Sequence, residues 1–341
     1  MFKSKAVYIG ISAAVSVGLL WLLSSQVRAE DVGAMLGHIY WPAVLLYASV
    51  ALAGAWVRAW RYKLLLAPQA IGWGPIFLVT FIRNSLIDLL PARLGALSYI
   101  YVLNKRLGFS FEAAASTFVL ASVLDTLTLS PFLILAGLTV GLAAGAISVP
   151  AVFGLAAVLF GVAALVLWKI VPLGRFLLAL FERLIARLGR AGRRPSFRTA
   201  VEKFRLTVGE LAHIRERRSL VLVFAQSLAV RLAKYVSVFS LFYGLLRSRG
   251  YTLADLSFAK FILGISGAEL TSVLPVKGLA GFGTWESAWA VTFRLMNFDP
   301  GLAVISGIGV HLLTNVFEYS LGIASIAILA WPRRREPGEA S

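Results

Sequence analysis

The chain contains no cysteine. That excludes disulfides, thiolate metal sites and cysteine nucleophiles, and it leaves the redox compartment unread. Acidic residues are scarce: 16 Asp and Glu stand against 33 Lys and Arg, for a formal net charge of +17. Histidine occurs only at positions 38, 213 and 311, without ligand spacing, so no metal is expected. There is no His-Glu-x-x-His, no Gly-x-Ser-x-Gly and no Walker lysine loop. Metallohydrolase, serine-hydrolase and ATP-driven pump readings therefore lack their signatures, and no cofactor is expected. Charge of either sign makes up only 14 % of 341 residues, whereas 59 % are hydrophobic.

Those hydrophobic residues are gathered into runs of bilayer length, which makes the chain an all-α polytopic membrane protein. Clear spans cover residues 6–23, 42–57, 113–140, 149–168, 219–246 and 301–331. The first follows "MFKSK" and is too long for the apolar core of a signal peptide, so it reads as a retained helix. Trp41, Trp56, Trp60, Trp73 and Trp331 fall near span ends, the ordinary place for interfacial anchors. Two further apolar regions, 75–103 and 256–297, are interrupted by Pro, Gly and charge. The organisation expected is a membrane half over 1–168, a basic loop over 169–218, a second membrane half over 219–331 and a tail over 332–341.

Charge distribution orients these spans. The loop 169–218 holds 13 Lys or Arg against 4 Glu and is short enough for the positive-inside bias, which makes it cytoplasmic. Within it, Phe176, Leu177, Leu180, Phe181, Leu184 and Leu188 share one helical face, with Arg175, Arg183, Arg187 and Arg190 outside that stripe. Such a helix suits an anionic membrane surface; aromatic interleaving and recognition motifs are missing, so no nucleic acid is expected. Lys3 and Lys5 place the N-terminus inside, and Arg58, Arg61 and Lys63 mark the return of the second span to that side. For the basic loop to be inside as well, 75–103 must cross an even number of times. Two crossings take about 40 residues, so this 29-residue segment should dip in from the cytoplasmic side and turn near Pro91. Region 256–297 begins and ends outside, with Pro275, Gly278, Gly281 and Gly283 between two apolar arms; two crossings or a second re-entrant hairpin both satisfy its sequence. Both termini are then cytoplasmic, and the expected location is a bacterial cytoplasmic membrane.

The two interrupted regions echo one another. "LLPARLGAL" and "VLPVKGLAG" share Leu-Pro, a cation two residues later and a nearby glycine, in halves of opposite orientation. That pattern is the mark of an inverted repeat whose broken helices meet at mid-membrane around a substrate. Pro91, Gly95, Pro275, Gly278, Gly281 and Gly283 are the expected hinges.

Ionisable groups at membrane depth face a bundle interior or a wet cavity. Arg93 and Lys277 stand beside the breaks, where a lipid phosphate also meets freed backbone N–H groups; alternatively, Arg93 pairs with Asp88 to hold the hairpin. Arg231 and Lys234 are either a second anion contact or the neutralising partners of Glu269 or Asp125. His311, Asn315 and Glu318 form one polar stripe, and Ser122, Asp125 and Thr128 another. Such stripes glue helices together, with proton coupling the alternative. Glu286 fits a gating or coupling role as well as a local cap.

At these motifs the chain resembles the flippase-like family that includes the membrane domain of lysylphosphatidylglycerol synthases. The likeness rests on Asn84, Pro91, Arg93 and Gly95, then on a Pro/Gly-rich segment ending in Gly283-x-x-Glu286, and it runs from Ala6 to about Trp331. Two departures stand out: Ala96 replaces a common glutamate, and "PVKGLAGFGTWE" is longer than the usual compact form. The resemblance implies a substrate-binding set that includes Asn84, and a membrane phospholipid or polyprenyl-linked lipid as partner. With no soluble transferase domain after the last span, it implies translocation without aminoacylation. The expected function is lipid exchange between leaflets; an enzyme acting on a lipid phosphate and a small-anion transporter are the alternatives. Oligomeric state is not readable.

Overall fold

The structure is a computed structural model and describes residues 17, 18, 21, 28–89, 95, 97–143, 149–187, 195–216, 220–271 and 281–331. It confirms an all-α polytopic membrane protein: among the described residues there is no strand. A short helix α1 (Ala29–Gly37) precedes α2 (Trp41–Leu66). Then follow α3 (Trp73–Leu89), α4 (Leu97–Arg106), α5 (Phe111–Leu127) and α6 (Leu129–Ala143). The long α7 (Val149–Arg187) and α8 (Pro195–Glu216) lead to α9 (Leu220–Leu246), α10 (Phe258–Leu270), α11 (Thr284–Leu295) and α12 (Pro300–Ala330).

Helix ends follow local chemistry. Ser110 Oγ accepts from the Ala113 N–H at 3.1 Å to start α5, Ser257 Oγ starts α10 in the same way, and the Asp299 carboxylate caps α12 ahead of Pro300. Four described helical stretches are long and apolar enough to cross a bilayer: Trp41–Leu66, Phe111–Leu142, Leu220–Arg249 and Pro300–Ala330. The second of these matches the span expected at 113–140 but bends at Thr128, whose hydroxyl donates to the Asp125 carbonyl at 3.1 Å. The span at 149–168 is the front of α7, which continues through Pro172 into the basic loop as one helix. Its continuation packs on α8 through Phe181 against Phe204 and an Arg205–Glu182 ion pair at 2.8 Å, while Phe176, Leu177, Leu180 and Leu184 stay exposed. Most of the first span and the tail lie outside the described residues.

Both interrupted regions are pairs of short helices packed on each other. α3 and α4 together hold 27 helical residues, short of what two crossings take. Gly95 closes this turn: a Cβ there would sit 1.5 Å from the Leu86 carbonyl oxygen, so only glycine lets the returning chain lie against α3. The ends of this hairpin lie together, since Leu66 and Gln69 before it and Ser110 and Ala113 after it line one cleft with Glu210 and Ile214 of α8. In the second region α10 has 13 residues and α11 has 12, about 20 Å each, so neither crosses alone. They touch closely, because Gly264 and Gly267 face Phe293 and Thr292 with no room for a side chain. Lys260 at the start of α10 donates to the Met296 carbonyl just past α11, at 3.5 Å. Among the described residues of 256–297, α10 and α11 thus form a pair of short helices packed side by side.

The hairpins sit in a reciprocal arrangement. The helices that lead into them, α2 and α9, form the most extensive contact in the molecule. Ala43 meets Gly244, Gly54 meets Ala233 and Arg61 meets Ser227, so the two helices run antiparallel. The first hairpin's arm α3 packs on α12, where a Cβ on Gly322 would strike Ser85, while the second hairpin's arm α10 packs on α6. Because α2 and α9 are antiparallel, the hairpin mouths open on opposite faces and the arms α3 and α10 run toward each other. Two apolar cores flank this seam, one built on α2 to α5 with α8 and the other on α9 to α12 with α1.

Candidate functional site

A continuous chain of charged side chains crosses the seam between the hairpins. Arg61 on α2 makes a two-point contact with Asp125 on α5, at 2.6 and 3.3 Å, and its guanidinium also donates to Ser227 Oγ of α9 at 2.7 Å. Arg83 on α3 approaches the other side of Asp125 at 4.0 Å and donates to the Asn84 side-chain oxygen at 3.3 Å. Arg58, one turn before Arg61, donates to that same Asn84 oxygen at 2.6 Å. On α9, Arg231 bonds the Asp125 carbonyl and pairs with Glu269 of α10 at 3.0 Å, and Lys234 pairs with Glu269 at 2.8 Å.

This chain sits deep in the fold. Arg83 lies ten residues into α3, Arg231 eleven into α9 and Asp125 fourteen into α5, about 15 to 21 Å along their helices. The Arg61 side chain is 0 % exposed and Arg83 7 %, whereas Lys234 is 45 % exposed at the edge. Five cations, Arg58, Arg61, Arg83, Arg231 and Lys234, surround two described carboxylates, Asp125 and Glu269. Charge at such depth is normally balanced by partners, so an excess of cations is the feature to explain. The Nε groups of Arg58, Arg61 and Arg83 are buried and have no hydrogen-bond partner among the described residues.

A second polar cluster lies at the tip of the other hairpin. Glu286, wholly buried on the first turn of α11, accepts the Gly283 N–H at 2.8 Å with one oxygen and meets His311 Nδ1 of α12 at 2.6 Å with the other. The imidazole is held between Phe282 and Trp285, with ring centroids at 4.7 and 4.8 Å. Gly281 and Gly283 take φ of 80° and 85°, in the left-handed region that favours glycine, and turn the chain into α11. One turn beyond His311, Asn315 is also buried.

The residues singled out from sequence distribute as follows. Arg231, Lys234, Glu269, Asp125 and Asn84 meet in the ionic chain, and Arg231 and Lys234 both neutralise Glu269. Glu286 and His311 pair with each other, and Glu286 is also the local cap. Glu318 lies near enough to the Tyr47 hydroxyl to act on it electrostatically. Gly281 and Gly283 take positive φ at a turn, and Gly95 lies against the Leu86 backbone. Pro91, Arg93, Pro275, Lys277 and Gly278, together with the Asp88 side chain, lie outside the described residues.

Arg58 and Arg61 need correcting. The sequence places them as charges at the cytoplasmic end of a span, but α2 runs on to Leu66 and folds both into the bundle. Arg83 also belongs to the ionic chain, though hydropathy alone passes over it. Its signal is present in "FIRNSLIDLL", where an arginine stands inside an apolar run next to Asn84.

In comparisons with known proteins, the family described as Lysylphosphatidylglycerol synthase TM region matches residues 9–322. No curated protein matches the chain.

Proposed function

The chain belongs to the lysylphosphatidylglycerol synthase TM region family, and from that premise we propose that it moves an anionic or polyprenyl-linked lipid between the leaflets of the membrane. The observation that carries this reading is the cation excess between the two hairpin tips, with three arginine Nε groups buried and unmatched among the described residues. A guanidinium offers planar, permanently charged donors that fit phosphate oxygens. A lipid phosphate at this depth supplies the missing negative charge while its tails stay in hydrocarbon. Two hairpins that open on opposite faces and converge on one charged seam also support an inverted repeat with a shared central site. The exposed apolar face of α7 above the basic loop supports contact with an anionic membrane surface.

The test is leaflet exchange of a fluorescent anionic lipid in liposomes that contain the purified protein. Arg83→Gln should slow exchange at least tenfold without changing detergent stability, and Arg83→Lys should retain part of the rate. Covalent change in the lipid would replace this reading with an enzyme. Uptake of soluble phosphate without lipid exchange would replace it with an anion transporter.

A further inference from the structure

The Glu286–His311 pair lies on the second hairpin's tip, apart from the cationic seam. We propose that this pair is a proton-binding latch that ties the start of α11 to α12 and makes lipid movement respond to a pH difference across the membrane. Both oxygens of Glu286 are committed, one to the Gly283 N–H and one to His311, so this one carboxylate holds the tip's turn closed and fastens it to the neighbouring helix. Short contacts of this kind, with the carboxylate wholly buried, depend strongly on charge. With Glu286 ionised and His311 neutral the pair carries one negative charge; one proton taken up makes it neutral, and a second breaks the ion pair. The Phe282 and Trp285 faces on either side of the ring suit an imidazolium. Gly281 and Gly283 provide the backbone freedom for the start of α11 to shift against α12 once the latch is released.

Among the described residues, the other ionisable groups on the packed elements are engaged or placed elsewhere: on α3, Arg83 faces Asp125 and donates to Asn84. On α10, Glu269 pairs with Arg231 and Lys234 of α9, and Lys260 reaches Met296 at the hairpin mouth. Tyr235 on α9 bonds Ser266 at 3.3 Å. On α11, Arg294 lies at the far end of the helix. Glu318, further along α12, acts on Tyr47 of α2. On α1, Asp31 faces Arg249 at 3.9 Å, and Glu30 lies beside it in the first turn. The proton is taken from water on one face and released on the other, with no other bond made or broken.

This proposal rests on the lipid-exchange reading for its transport measurement only, so two measurements are made on the full-length protein. In liposomes, exchange of the fluorescent anionic lipid is followed with and without an imposed pH difference. Wild type should respond by up to about tenfold per pH unit for one coupled proton, whereas Glu286→Gln and His311→Gln should exchange lipid without that response. A wild type indifferent to the gradient, or a Glu286→Gln protein that still responds, overturns the proposal. Infrared titration of the detergent-purified protein, which needs no transport, should show a pH-dependent carboxyl signal that is lost in Glu286→Gln and altered in His311→Gln. Absence of that signal overturns the latch whatever the lipid result, and its presence in a protein that moves no lipid leaves the latch standing while the proposed function falls. If Glu286→Gln does not fold, His311→Gln alone decides both measurements.

Discussion

Asp125→Asn tests whether the charged seam is as dry as its geometry implies. The carboxylate receives two donors from Arg61, at 2.6 and 3.3 Å, and faces Arg83 at 4.0 Å. An amide keeps the shape and removes the charge. Arg61, with 0 % of its side chain exposed, would then keep only neutral partners, among them the Ser227 hydroxyl, and lose its ion pair. Breaking a buried ion pair by removing one partner costs about 3 to 5 kcal/mol. Asp125 is 23 % exposed, which places the expectation at the lower end, about 3 kcal/mol, or roughly two decades in the folding equilibrium. Equilibrium unfolding in mixed detergent micelles, followed by circular dichroism, reads that change. The double variant Asp125→Asn/Arg61→Met removes both charges and should recover more than half of the loss, because the stranded guanidinium is gone. A single-variant cost below about 1 kcal/mol, the range of an exposed pair, would refute the reasoning and mean that water already fills the seam. Strict additivity of the two changes would refute the pairing itself.

Two more outcomes follow from the packing. Gly264→Ala places a Cβ 2.1 Å from the Phe293 ring and should destabilise the second hairpin by about 1 to 3 kcal/mol, visible as a lower unfolding midpoint in the same micelles; no change would mean that α10 and α11 are not in close contact. Because the chain has no cysteine, single cysteines report sidedness directly: Gln69→Cys and Ser110→Cys should react with an impermeant thiol reagent from the same face and Leu253→Cys from the opposite one. Labelling of Gln69→Cys and Ser110→Cys from different faces would turn the first hairpin into a crossing.

The two interrupted regions are legible in the sequence, and the pairings are not. For 75–103, length against bilayer thickness sufficed, because 29 residues cannot cross twice. For 256–297 the Pro and Gly residues between two apolar arms fit two crossings as well as a hairpin, so composition alone leaves both open. Arg58 and Arg61 were misplaced for a related reason, since a charge is taken as the end of a span unless one can see the helix run on to Leu66. The ionic chain joins residues 64 and 38 positions apart, Arg61 with Asp125 and Arg231 with Glu269, and the latch joins Glu286 with His311 across 25. Such pairs depend on how helices are laid against one another, which a single sequence does not record.

That laying together also accounts for where the charge excess comes from. Small residues let α2 and α9 approach closely, with Gly54 on Ala233 and Gly244 on Ala43. As the antiparallel pair runs on, Arg58 and Arg61 come to face the stretch of α9 that bears Ser227, Arg231 and Lys234. Cations are thus set against cations in a medium of low dielectric, which is unfavourable unless anions are supplied from elsewhere. Asp125 arrives from α5 and Glu269 from α10, one from each half of the chain. Glu269 sits on a hairpin arm, and so does Arg83. On the proposed reading, a headgroup phosphate entering the seam competes with Glu269 for Arg231 and draws on Arg83, so binding bears on both hairpins at once. A substrate without negative charge has nothing to offer in that exchange, and the seam would stay closed by its own ion pairs.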